Sequence, residues 1–483
     1  MKPIVTLVAV AFAGTLGLFN GNTSNAQDVT RMREVVEATV KKGQFTGAVL
    51  ITQGDRVLID KGYGFANREW KQTNLPSTKF RIGSISKQFT AAAVLLLEER
   101  GKLLLSDSIK KYVPDTPAAW DGITIAHLFN HTAGLPNFTD LAAYQKVKML
   151  EAQPADTLKL VRELPLDFAP GKDYRYSNSG YVLLGQIIET VTGESYGTFL
   201  QNNIFKPLGM ADSSVDTSAV ILPSRAAGYK YLQANEKAPP SLVNADVISM
   251  SVPHAAGAII STTHDLHRWQ KALYGAKDGR DVLSAASLKK MLAPNKAGYA
   301  LGVQVIEKKQ QNKATGDVTV HRVMEHGGGI DGFSAWMQYD EASALNVVVL
   351  GNIEGAPSGY LAGRLAAMTQ GGLPYSTLPF YLRGTMNNWG ISTPMVSAGS
   401  KIWAVETMLS AGGHEFKFGS EDFRQIDFGG GNGEPSIVVG TKNVLSIGGS
   451  NLKIEVSQAA RYRFSLDVRD AYGPKLTVMK LIN

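Results

Sequence analysis

Apolar and polar positions change rhythm several times along this chain, and each change predicts an element. Over residues 28–42 apolar side chains recur every three or four positions, the spacing of a helix with one buried face. Residues 47–52 are a near-continuous apolar run. After the turn signal Gly54-Asp55 a second strand is predicted over 56–60, giving an antiparallel hairpin. Past Ser86 the rhythm is helical: alanines and leucines lead to Glu98, Glu99 and Arg100, and Gly101 falls where a helix end favours a left-handed residue. Residues 103–209 read as mostly helical, broken at Pro114-Asp115, Gly134-Leu135-Pro136 and Pro170-Gly171. Residues 258–262 predict a strand, followed by a helix from near Thr263 to Leu273, capped by Thr262 or Thr263. Four more strands are predicted at 301–306, 318–324, 334–340 and 346–352, with the polar stretch 310–317 joining the first two. Strands at both ends and helices between them predict an α+β fold, an antiparallel sheet flanked by helices plus an all-helical region.

Near Gly371-Gly372-Leu373-Pro374 the pattern changes to short alternating runs with glycine turns at 412–413, 429–433 and 448–449, which predicts a small all-β sandwich. The expected organisation is a signal peptide over 1–26, a main domain over 27–372, a linker over 373–380 and an accessory sandwich over 381–483. The signal reading rests on Lys2, the apolar stretch 4–19, interrupted by Gly14 and Gly17, and the small residues Ser24-Asn25-Ala26. No later stretch is long and apolar enough to span a bilayer, so a secreted, periplasmic protein is expected.

Composition narrows the classes. An apolar share of 44% with 19% charged residues is that of a globular chain. The net charge of +7 is spread without a basic run, which argues against nucleic acid as a partner. Absence of cysteine removes thiol nucleophiles, thiolate metal sites and disulfides.

Three stretches carry candidate chemistry. In Ser84-Ile-Ser-Lys87 the serine stands at a helix mouth and the lysine shares its face three residues on. A serine hydroxyl needs a neighbour to take its proton, and a lysine serves if burial and the helix dipole lower its pKa. In Tyr176-Ser-Asn178 a tyrosine beside an ammonium group is expected to lose its proton more easily and shuttle it, while the asparagine faces the same cleft from a turn. In Glu325-His-Gly-Gly-Gly-Ile-Asp-Gly-Phe333, starting on a strand, glycines let a backbone or ligand approach closely, and an N–H there completes an oxyanion hole with that of Ser84.

This ordered triple resembles the serine β-lactamase and penicillin-binding-protein superfamily, specifically its class C β-lactamase, D-alanyl-D-alanine carboxypeptidase and esterase branch. Ser84-Ile-Ser-Lys87 matches the first motif, Tyr176-Ser-Asn178 the second, and His326-Gly327-Gly328 the place of a Lys-Thr-Gly or His-x-Gly third motif. The stretches 123–136 and 257–261 are also similar to family segments. The resemblance implies a covalent acyl-enzyme without cofactor or metal: Ser84 attacks, Lys87 and Tyr176 transfer protons, the N–H groups of Ser84 and Gly329 hold the oxyanion, and Asn178 orients the acyl side. The third motif departs from the β-lactamase pattern, with His326 for lysine and Gly327 where a hydroxyl is expected. Both changes weaken recognition of a free carboxylate, so small-molecule or peptide esters and amides, D-amino-acid peptides included, are expected ahead of β-lactams. The alternatives are a penicillin-binding-like sensor or scaffold that acylates without turnover, and a glycan-binding protein with a vestigial hydrolase.

Remaining signals add little. His264 and His267 lie one turn apart without a third ligand, and His127 and His131 are structural by the resemblance. The segment 381–390 (YLRGTMNNWG), with Trp403 and 412–418, resembles carbohydrate-binding sandwiches found beside starch-type glycoside hydrolases, which implies glycan contact. Trp389 itself is expected in the sandwich core.

Overall fold

In a computed structural model of the chain, residues 20–233, 240–275, 281–311, 318–369, 381–399, 402–420, 423, 427–430, 436–447, 449–468 and 474–481 are described. Most of the expected signal peptide, the expected linker, most of the 310–317 loop, and parts of the turns at 429–433 and 448–449 lie outside them. Helix α1 (Asn20–Lys41) precedes the hairpin of β1 (Gly47–Gln53) and β2 (Arg56–Tyr63). Then come α2 (Ser86–Glu99), α3 (Asn178–Thr192) and α4 (Thr263–Tyr274). Strands β3 (Gln304–Gln311), β4 (Val318–Ile330), β5 (Phe333–Asp340) and β6 (Leu345–Gly351) lead into α5 (Ser358–Thr369).

The main sheet is six-stranded in the order β3-β4-β5-β6-β1-β2, every pair antiparallel. Its central strands are apolar on both sides because both faces are covered. Along β1, Val49 and Ile51 join a core shared with Met32 and Val36 of α1 and Leu361 and Leu365 of α5. Ala48 and Leu50, one step out of phase, join the larger core that holds α2, α3 and α4. A strand buried on both faces reads as a continuous apolar run rather than an alternating one, as β1 does.

Helix ends follow local chemistry. The Thr262 hydroxyl caps α4 by accepting from the Asp265 N–H at 3.2 Å. Helix α2 ends at Arg100, with Gly101 at φ +66°. The third motif was expected to begin on a strand; β4 in fact runs through it to Ile330, because Gly327, Gly328 and Gly329 stay in register with Trp336, Ala335 and Ser334.

Past the main region, β7 (Tyr381–Gly384), β8 (Ile402–Leu409), β9 (Gly412–Gly419), β10 (Leu452–Val456), β11 (Ala460–Asp467) and β12 (Lys475–Lys480) carry two antiparallel sheets. One pairs β7-β9-β10 and the other β8-β11-β12. Phe416 and Phe418 of β9 meet Phe464 of β11 edge to face, at ring-centroid distances of 5.2 and 6.4 Å. Trp389 departs from expectation. It is half-buried at φ +59°, and its carbonyl accepts from Arg383 at 2.7 Å, so it closes a turn rather than filling the core.

Candidate active site

Ser84 sits in a single 3-10 turn, Gly83–Ile85, that feeds directly into α2, where Lys87 occupies the second position. Gly83 takes φ +52°, and a Cβ there would stand 2.8 Å from the nitrogen of Gly329. A Cβ on Gly328 would stand 1.9 Å from the Ile82 carbonyl oxygen and 3.3 Å from the Ser84 nitrogen. The strand and the serine turn are therefore in backbone contact, an approach only glycine permits. At Gly329 a Cβ would meet nothing within 4 Å, and this exposed residue opens on the cleft.

The Lys87 side chain is fully buried. Its Nζ lies 3.0 Å from Ser84 Oγ, 2.7 Å from Asn178 Oδ1 and 2.7 Å from the Ala256 carbonyl oxygen. Burial holds its pKa well below the usual lysine range. The Ala256 and Asn178 oxygens only accept, so a neutral amine spends both its N–H groups on them and turns its lone pair to Ser84. Asn178 is the first residue of α3 rather than part of a turn. Its side-chain nitrogen donates to Thr139 Oγ1 at 3.2 Å and its backbone N–H to Asn137 Oδ1 at 3.0 Å, so it serves the lysine directly.

Tyr176 stands beside Ser84 and Lys87, its ring centroid 5.0 Å from Lys87 Nζ and its hydroxyl within the electrostatic reach of Ser84. Its pKa moves opposite to expectation. Burial raises it, and the polar Ser84 hydroxyl offsets this only in part. A lysine held neutral offers no cation to stabilise a phenolate, so the phenol keeps its proton.

His326 is buried on the face of β4 that meets α2. Burial first, and second repulsion from Lys87 once acid protonates it, lower its pKa to about 4. Gly327 has no room for a side chain, because a Cβ would stand 2.9 Å from the Trp336 ring. The eight expected residues thus converge, Ser84, Lys87, Tyr176, Asn178 and His326 through side chains and Gly327, Gly328 and Gly329 through backbone.

Sequence reasoning missed the groups behind them. Tyr299, Tyr174, Tyr181 and His131 pack as an aromatic wall, with His131 at 4.2 Å from the Tyr176 ring and 4.6 Å from that of Tyr299. Only the cluster of tyrosines at 174, 176 and 181 signalled it. The remaining histidines have structural partners. His127 Nδ1 accepts from the Thr124 N–H at 3.2 Å, His264 meets Asp60 at 2.9 Å, and His267 meets Asn346 at 2.8 Å. Among the described residues no group of three or more histidine, aspartate or glutamate side chains could hold a metal, and no helix is long and apolar enough to cross a membrane.

A helix-borne serine and lysine facing a glycine-rich edge of an antiparallel sheet define a beta-lactamase-like α+β fold. A beta-lactamase family profile matches residues 32–369, and the chain belongs to that family. It is 32% identical over 321 residues to penicillin-binding protein 4* of Bacillus subtilis, covering 63% of this chain and 68% of that one. Among solved structures it resembles a D-stereospecific amidohydrolase from Streptomyces at 25% identity and a TM-score of 0.56, over 71% of this chain and 98% of the other. A penicillin-binding-protein homologue from Pyrococcus abyssi shares the fold over 93% of this chain and all of its own length, at 21% identity and a TM-score of 0.60.

Proposed function

We propose that this protein is a serine hydrolase that cleaves ester or amide bonds through an acyl-enzyme on Ser84. The observation that carries this reading is the bonding of Lys87: two acceptors fixed by the fold take its N–H groups, and its third direction faces the serine. In the acylation step Ser84 Oγ bonds to the substrate carbonyl carbon and passes its proton to Lys87 Nζ. The oxyanion that forms lies between the N–H groups of Ser84 and Gly329. Tyr176, which keeps its proton, gives it to the departing oxygen or nitrogen, and the Lys87 ammonium returns to the phenolate the proton it took from Ser84. Water then attacks the acyl carbon by the reverse proton path and frees the serine.

Substrates without a free carboxylate beside the scissile bond fit best. The third motif offers a neutral imidazole at pH 7 and no hydroxyl at Gly327, so no fixed cation awaits an anion. Likeness to a D-stereospecific amidohydrolase supports D-aminoacyl amides and peptides within that class. The apolar N-terminal stretch supports action outside the cytoplasm.

Intact-mass analysis after fluorophosphonate treatment tests the proposal. One adduct on the wild type and none on Ser84→Ala is the expected result, followed by turnover of an aryl ester and a D-aminoacyl anilide faster than a chromogenic cephalosporin. An unlabelled wild type overturns the serine mechanism. A stable substrate adduct without product release makes the chain a covalent sensor, and fastest turnover of the cephalosporin reverses the substrate order.

A further inference from the structure

Tyr299 precedes β3 in a loop seated on the first turn of α2. The contact is close at Gly302, φ +74°, where a Cβ would stand 2.5 Å from the Lys87 carbonyl oxygen. The Ala300 N–H donates to the Val303 carbonyl at 2.8 Å and the Asn295 N–H to the Tyr299 carbonyl at 2.9 Å, so the loop is closed on itself. The Tyr299 hydroxyl reaches His326 Nε2 at 2.9 Å, and His326 Nδ1 lies 2.6 Å from the Gly327 carbonyl oxygen.

These two contacts fix both ring nitrogens. A carbonyl oxygen only accepts, so Nδ1 carries the proton and Nε2 carries a lone pair. Tyr299 must then be the donor to Nε2. Its neighbour Tyr181 sends its own proton to the Phe129 carbonyl at 2.7 Å and does not compete for that nitrogen. The other titratable groups around the imidazole are Lys87 from α2, Tyr174 and Tyr176 from the loop before α3, and His131 from the 130–136 loop.

We propose that Tyr299 is a specificity-determining positioning residue. By occupying Nε2 of His326 it withholds from the substrate the one ring nitrogen of the third motif able to meet an anionic leaving group. The inference rests on the hydrolase reading above and deepens it: the preference for uncharged leaving groups comes from a tyrosine behind the motif as well as from the loss of the motif lysine. With Nε2 taken, the substrate meets this edge of the cleft only through the backbone of Gly328 and Gly329.

The test pairs a hydrolase assay with a spectroscopic one. Two aryl esters are compared, identical except for a carboxylate on the leaving group, using wild type and Tyr299→Phe at pH 4.5 and 8. In the variant the ratio of kcat/KM for the anionic over the neutral ester is expected to rise about tenfold at pH 4.5, where the freed imidazole begins to protonate, and little at pH 8, where it stays neutral. In 15N-histidine spectra of the wild type, His326 (assigned by its loss in His326→Gln) is expected as the Nδ1–H tautomer, with an Nε2 resonance shifted by an accepted hydrogen bond. That shift is expected to disappear in Tyr299→Phe. An unchanged ratio in a variant that folds and labels with fluorophosphonate overturns the proposal, as does a wild-type spectrum with Nε2 protonated or free. The spectra require no turnover, so their failure is distinct from failure of the serine mechanism, which the labelling experiment reads alone.

Discussion

The family region and the C-terminal sandwich are packed by the same rule and use it for different ends. In the sandwich the interior is apolar: Leu382, Phe416, Phe418, Leu452, Phe464, Leu476 and Val478 fill it, and His414 and Ser420 are the buried polar residues among those described. In the family region a core of buried apolar side chains encloses a lysine, an aromatic wall with two histidines, and carbonyls aimed at the lysine and at His326. Burying such groups costs several kcal/mol each unless partners are supplied. The family region supplies them from distant parts of the chain: Lys87 draws on residues 178 and 256, and His326 on residue 299. One interior is built for cohesion alone, while the other gives up cohesion to hold a base neutral.

Five experiments break or sharpen that contrast, and the largest effect is expected at the serine. Ser84→Ala should lower kcat by about 10⁴-fold or more while leaving the unfolding midpoint within a few degrees, measured by ester turnover and thermal denaturation. Full activity in this variant would remove the functional half of the comparison.

Lys87→Met should lower kcat by about 10²–10⁴-fold yet raise stability at neutral pH. The sign follows from linkage. Lys87 has a folded pKa far below its unfolded one, so between the two the unfolded chain binds the extra proton and stability rises with pH. Methionine removes that term, and the gain over wild type should shrink as pH approaches 10. Urea titrations at pH 7 and 9.5 read it, and a variant less stable at both would show the lysine to be a net support.

His326 gives the mirror test in acid. Its folded pKa of about 4 lies below the ordinary histidine value near 6.5, so the stability of the neutral form is intact above 6.5 and drains as pH falls towards 4. The loss should amount to about 3 kcal/mol over that window and be largely absent in His326→Gln. Equal acid sensitivity in both proteins would mean that His131, also held well below its usual range by burial, or the carboxylates set the slope.

The smallest effect on activity should come from the sandwich. Phe416→Ala should cost that module about 3–5 kcal/mol, seen as an earlier unfolding transition, with kcat on small esters changed less than about twofold. A large fall in kcat would show that the two regions are coupled. Within the family region, Gly328→Ala should be severely destabilising because of the Ile82 carbonyl, whereas Gly329→Ala should fold normally.

Much of this was legible from spacing. The hairpin of β1 and β2, the helix after Ser86 and the closing strands follow from apolar rhythm, and serine, lysine and tyrosine followed from motifs whose residue types dictate their chemistry. What escaped was whatever depends on a second, distant segment. Nothing in the sequence links Tyr299 to His326 or Ala256 to Lys87, since a backbone carbonyl has no letter of its own and a buried tyrosine looks like any other. The direction of the Tyr176 pKa was misjudged for the same reason: proximity to a lysine was readable, but the desolvation that strips that lysine of its charge was not. Trp389 shows the limit from the other side, because a large aromatic beside asparagines and glycine served a turn rather than an interior.

The bond from Lys87 to the Ala256 carbonyl spans 169 positions of the chain. Until those positions meet, the amine stays in water with its ordinary basicity and the alcohol of Ser84 is no more reactive than any other. On the proposed mechanism, reactivity is thus withheld from a nascent or unravelled polypeptide and switched on only by completed folding, which would protect neighbouring molecules from an unfinished catalyst.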